Sequence, residues 1–194
     1  MSESPKSMLD DIRHKLAGYR PDPVPAFHRQ RSRAAVLIPL RDRGLEPHIL
    51  LTERAGGLSS HGGEVAFPGG KEDATDHSLV WTALRENEEE LGISPDSVEI
   101  LGELKPFVSK HGLMVTPFVG LLDESVTLSP NPDEIASVFE VPLTFFEQSS
   151  PARVDEVARH GEAYTIRVFE FDGYEIWGLT ALIVDEFLKI SLLR

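Results

Sequence analysis

Between Phe67 and Ile93 the chain reads FPGGKEDATDHSLVWTALRENEEELGI. A glycine-rich turn runs into a helix-forming stretch whose last turns carry Arg85, Glu86, Glu88, Glu89 and Glu90, and Gly92 closes it. Glu86, Glu89 and Glu90 stand at i, i+3 and i+4, so they share one helical face beside the Gly69-Gly70 turn. Like charges so placed repel, and a stable fold needs something positive between them. Hard divalent cations such as Mg2+ take oxygen ligands and usually complete their shell with water and substrate phosphates. Val80, Ala83, Leu84 and Leu91 form the apolar stripe of the same helix.

What surrounds this helix reads as strands. Residues 34–40 and 48–52 are short apolar runs joined by a turn, and 64–67 forms a short strand leading into the glycines. The helix itself spans 78–91, with Asp76 or Ser78 as its cap and Gly92 followed by Pro95 as its stop. Strands follow at 98–104, 115–122 and 134–141, then a helical turn at 142–146. Residues 164–171 and 174–177 flank the Asp172-Gly173 turn, and a last helix at 179–192 places Leu179, Leu182, Ile183 and Ile190 on one face. Strands before and after one central helix, plus a terminal helix, give the α/β class: a mixed central sheet with helices on both faces. The expected organisation is an N-terminal helix (Leu9, Ile12, Leu16) and proline-containing linker over 1–30, then one domain over 31–194.

Composition removes several function classes. The chain of 194 residues has no cysteine, which excludes disulfides and Cys-based zinc or redox sites. Its net charge of -13 argues against a nucleic-acid partner, which needs a basic footprint, yet leaves room for a small phosphorylated ligand held through a metal. The first sixteen residues are polar and no apolar run reaches membrane-span length. The expectation is a cytoplasmic protein with no membrane partner.

The segment from Gly70 to Ile93 resembles the Nudix box, whose pattern ends R-E-U-x-E-E-x-G-U with U a bulky apolar residue; here that end is Arg85 to Ile93, with Asn87 at one apolar position. The front half carries one extra residue, a stretched spacing similar to that of the coenzyme A pyrophosphatases of this family. Their second signature is matched by Leu50, Leu51, Thr52, Arg54, Ala55, Gly63, Phe67, Pro68, Gly69 and Gly70, with Ser59 standing where a second arginine belongs. The resemblance implies a Nudix-type α/β/α sandwich that hydrolyses a pyrophosphate bond in coenzyme A or an acyl derivative, using Mg2+ or Mn2+. It implies Glu86 and Glu90 as direct metal ligands, Glu89 as a further one, and a backbone carbonyl at Gly69 or Gly70. Arg85 then orients a carboxylate, while Arg54, Gly69, Phe67 and Glu134 contact substrate. For the general base the reading takes Glu89 first, Glu86 second and Glu134 third. Ser59 keeps open another nucleoside diphosphate derivative (ADP-ribose, a nucleotide sugar, a dinucleotide), and a non-catalytic nucleotide-sensing module is the remaining alternative. A homodimer is expected by analogy.

Other residues take plainer readings. Glu88 is a solvated side chain, and His77 an exposed first-turn residue. His61 and His111 are loop-stabilising, and Ser59 and Ser60 lack an activating base. Trp177 and Phe187 are read as core or dimer contacts rather than base-stacking platforms. Arg29, Arg31 and Arg33 form a solvated basic arm, with contact to a 3′-phosphate as its functional option.

Overall fold

The computed structural model describes residues 7–22, 31–44, 46–56, 63–159 and 162–192. Its elements run α1 (Met8–Gly18), β1 (Arg33–Asp42), β2 (Pro47–Arg54), β3 (Val65–Ala66), β4 (Gly69–Lys71), α2 (Leu79–Leu91), β5 (Val98–Glu103), β6 (Phe107–Val108), β7 (Met114–Leu122), β8 (Ile135–Pro142), α3 (Leu143–Gln148), β9 (Arg153–Arg159), β10 (Glu162–Phe171), β11 (Tyr174–Ile176) and α4 (Gly178–Ser191).

Among the described residues, β3, β2, β1, β7 and β5 lie side by side in that order, with β4 also on β1, β6 on β7 and β8 on β2. β1 and β7 run parallel, with Leu37 opposite Phe118, and the remaining pairs are antiparallel. A parallel pair needs a long crossover, and the stretch containing α2 supplies it. Side chains of β1 alternate between faces. Ala35 and Leu37 pack under α2 with Ala83 and Phe118. Ile38 and Leu40 point the other way, into a core with Ile49, Leu51 and Val119 that is closed by Ile12 and Leu16 of α1 and Ile183, Val184 and Phe187 of α4. Helices therefore cover both faces of a mixed sheet, as the sequence pattern implies.

A smaller antiparallel sheet, β11-β10-β9, extends the α4 side. The sequence reading omits β9, because RVDEVAR carries charge on most positions and shows no apolar run. It pairs along its length with β10, which does carry the apolar side chains Ile166 and Val168. The α4 face also differs from expectation. Ala181, Ile183, Val184, Phe187 and Leu188 are its buried apolar side chains, while Leu179, Leu182 and Ile190 are half-buried at the margin. Among the described residues no helix is long and apolar enough to cross a membrane.

Candidate functional site

α2 is held at both ends by local chemistry. The Ser78 hydroxyl accepts the Trp81 N–H at 3.2 Å, satisfying one free helix donor. Gly92 adopts the left-handed conformation (φ 69°) and donates its N–H to the Glu88 carbonyl at 2.8 Å. Ser78 is thus the cap, and Asp76 has a different task. Its buried carboxylate accepts from Arg85 Nε (2.9 Å) and Nη2 (3.0 Å) and from the Thr82 hydroxyl (2.9 Å). The Arg85 guanidinium holds the Asp76 carboxyl well below the usual carboxylate range. Anchored in this way, Arg85 turns Nη1 toward Glu86 (3.0 Å) and Glu89 (3.1 Å).

The glycine turn meets two carboxylates. Glu90 is buried, 2% exposed, and accepts the Gly69 N–H at 3.1 Å. Arg54, at the end of β2, places Nη1 3.4 Å from the same carboxylate. Burial pushes the Glu90 carboxyl up to about 7 despite those two partners. Glu86 faces Gly70 directly: a Cβ added at Gly70 would lie 2.5 Å from Oε1 and 2.6 Å from Oε2 of Glu86. Burial raises the Glu86 carboxyl as well, against Arg85. Glu134, in the turn before β8, is half-buried and adds negative charge that raises both. Its peptide carbonyl accepts the Ala55 N–H at 2.8 Å, which ties this turn to the end of β2.

The expected site residues therefore separate into groups. Glu86, Glu90, Gly69, Gly70 and Arg54 come together, and Glu134 stands within electrostatic reach of them. Glu89 lies on the exposed edge of α2, with its side chain 56% accessible, and meets Arg85 rather than the glycine turn. Phe67 turns inward, 4% exposed, into the large core cluster. The ring thus packs in the core beneath the turn, apart from the residues gathered around Glu86 and Glu90. Arg31 reaches the Gly112 carbonyl at 3.2 Å and Arg33 pairs with Glu72, so both are engaged within the fold. Ser59, Ser60, His61 and Arg29 lie outside the described residues.

Among the described residues no three His, Asp or Glu side chains are gathered tightly enough to hold a metal ion by themselves. The donor chemistry still fits a hard cation. Glu86 and Glu90 carry carboxylate oxygens one turn apart, both destabilised as anions by burial, and they face a turn where Gly70 leaves no side chain in the way. A divalent ion has the charge that burial withholds from this pair.

Beside the turn lies a cavity of about 270 Å3. Arg54, Gly69 and Gly70 line it, and so do Lys110, Trp177 and Leu179, while Glu86 and Glu90 are not among its lining residues. The sequence reading missed Lys110, took Asp76 only as a possible helix cap, and took Trp177 as a core or dimer contact, whereas Trp177 lines this cavity. The Asp76–Arg85 pairing depends on the fold of the loop before α2, and Trp177 likewise meets the site only through the tertiary fold.

Comparison with known proteins follows the same lines. The profile described as "NUDIX domain" matches residues 31–160. A protein of Photorhabdus laumondii called "Uncharacterized Nudix hydrolase NudL" is 40% identical over 178 residues, 92% of this chain and 95% of that protein. A Yersinia pestis protein of the same name is 46% identical over 160 residues, 81% of this chain and 79% of that protein. A C. elegans Ap4A hydrolase binary complex superposes with a TM-score of 0.51 at 18% identity, over 60% of this chain and 84% of that one. The M. smegmatis Nudix hydrolase RenU gives 0.50 at 21% identity, over 61% of this chain and 74% of that one. At those identities the two structures speak for the fold alone.

Proposed function

The chain belongs to the Nudix family, and on that premise we propose that it is a pyrophosphohydrolase that cleaves coenzyme A or an acyl-coenzyme A into 3′,5′-ADP and (acyl-)4′-phosphopantetheine. The observation that carries this reading is the pairing of Glu86 and Glu90 with a turn that has no side chains. In that pairing the space a Cβ would fill at Gly70 is taken by the Glu86 carboxylate.

Glu86 and Glu90 are the residues that would hold Mg2+ or Mn2+, with the Gly70 carbonyl beside them. A divalent ion bound there neutralises charge on the diphosphate and lowers the pKa of a coordinated water. Arg85, fixed by Asp76, keeps the Glu86 carboxylate oriented and steadies Glu89. Arg54 stands between Glu90 and the cavity, where a guanidinium can take a phosphate oxygen in a charge-assisted contact. The water proton goes to a carboxylate base. Glu89 is open to solvent and ready to pass the proton on, whereas Glu134 acts electrostatically on both Glu86 and Glu90, and either can serve as the base. Water adds to one phosphorus, the anhydride P–O bond breaks, and the bridging oxygen leaves with the second phosphate.

A second reading keeps the chemistry and changes the substrate to another nucleoside diphosphate derivative. Ser59, at the position where the coenzyme A signature has arginine, favours it. A substrate panel with Mg2+ and Mn2+ separates these: coenzyme A, acetyl-coenzyme A, ADP-ribose, NADH and diadenosine polyphosphates. The expected result is cleavage of coenzyme A into its two monophosphate halves. If ADP-ribose turned over while coenzyme A stayed intact, the substrate assignment would fall and the hydrolase would stand. If nothing were cleaved, the chain would be a binding module.

A further inference from the structure

The cavity beside the glycine turn has walls of different origin. One is built by the sheet, with Ala34 and Val36 from β1 and Val115 from β7. Another part of the lining, Trp177 and Leu179, comes from the corner between β11 and α4, which lies beyond the family-matched stretch 31–160. That corner is fixed in place. The buried Thr180 hydroxyl donates to the Val65 carbonyl of β3 at 2.9 Å, and Tyr174 stacks on Phe139 of β8 with ring centroids 3.9 Å apart. Lys110 bridges the two sides, with Nζ 3.2 Å from Glu64 and 5.9 Å from the Trp177 ring centroid.

Resting on the hydrolase reading above, we propose that Trp177 is the specificity wall of this enzyme. The flat base of the substrate's nucleotide half enters the cavity and stacks on the indole, while the diphosphate lies at the Arg54 and Gly70 end. Size supports this. About 270 Å3 is close to the roughly 300 Å3 at which pockets for drug-sized ligands begin, which is room for one ring system. Chemistry supports it too. An indole face against apolar sheet residues favours a rigid planar π system. An extended amide-bearing chain would lose rotamer freedom there and bury amides against apolar side chains. Ser109 and His111 put polar groups on the loop side, where the edge of a base would lie.

The test uses the fact that Trp81 and Trp177 are the chain's 2 tryptophans. In a Trp81→Phe background, emission from Trp177 is titrated with AMP, 3′,5′-ADP, 4′-phosphopantetheine and ribose 5-phosphate, none of which has a diphosphate bond to cut. A saturable response to the two adenine nucleotides, and none to the other two compounds, is expected. Any other pattern overturns the proposal, and a response to 4′-phosphopantetheine alone would give the cavity to the other half of coenzyme A. In steady-state kinetics Trp177→Ala should raise KM roughly 5- to 100-fold with kcat changed little, and Trp177→Phe should recover most of the loss. A merely structural role would lower kcat and the melting temperature together and leave KM in place. Diphosphate turnover without an AMP response sinks the stacking wall and leaves the hydrolase. An AMP response without turnover of any diphosphate does the reverse.

Discussion

Asn87 sits on α2 at a position where the family pattern has an apolar residue, and it is fully buried with neither amide atom meeting a protein partner among the described residues. An unpaired buried amide costs on the order of 1–3 kcal/mol. Asn87→Leu, close in volume, should therefore raise the melting temperature by several degrees with activity unchanged, and an unchanged or lower value would show that the amide is satisfied in solution. Asp76 makes the opposite case. Its folded pKa lies below its ordinary value, so the fold favours the ionised form. That contribution is fully present above about pH 4 and is lost as the pH falls toward the folded value. Asp76→Asn should lose on the order of 2–3 kcal/mol at pH 7 and show a shallower acid decline than the parent, measured by denaturant melts from pH 7 to pH 3. Parallel declines in the two proteins would remove Asp76 from the acid response. At this scale the sequence told much about residue type and little about pairing: Glu86 and Glu90 were readable by their spacing on one helix. The Asp76 grip on Arg85 depends on how the loop before α2 folds back.

The junction of β4 and α2 is where two adjacent glycines do different work. Gly69 has φ +153°, and a Cβ there would lie 2.6 Å from the Val36 Cα and also strike the Ala35 carbonyl, both backbone of the neighbouring strand. Backbone in a central strand cannot yield, so Gly69→Ala should destabilise the fold by about 2 kcal/mol or more in a thermal melt. At Gly70 the atoms nearest to the added one are those at the end of the Glu86 side chain, which can swing away. Gly70→Ala should keep the melting temperature within a few degrees while turnover falls at least about tenfold, because the carboxylate is displaced from the turn. Equal losses of stability in the two variants would contradict this division. The glycine pair was legible as a turn. That Gly69–Lys71 also pairs with β1 as a strand was not, since two glycines carry no β signal and the pairing is made by register with Ala34–Val36.

Across the whole molecule, the sheet sorts the chain's tasks between its faces. One face carries α2 and the acidic site, and the other carries α1, α4 and the large core. α1 adds Ile12 and Leu16 to that core, and Arg13 pairs with Glu99 of β5. The apolar strands and both long helices were readable from period and run length. The parallel union of β1 with β7 was not, because pairing between strands some eighty residues apart is decided by tertiary packing. Trp177 reaches the cavity for the same reason: β11 is placed by β10 and not by its own three residues. All of this architecture bears on one proposition, that Glu86 and Glu90 held against the glycine turn form the cation-dependent cleavage centre. The direct test is turnover of coenzyme A across a Mg2+ and Mn2+ concentration series, in the parent chain and in Glu90→Gln, with both shown to be folded. Removing a buried anion should leave the Glu90→Gln fold at least as stable. The account predicts cation-dependent cleavage in the parent and a loss on the order of 100-fold or more in Glu90→Gln. Rates that match in the two proteins, or that ignore the cation, would contradict it.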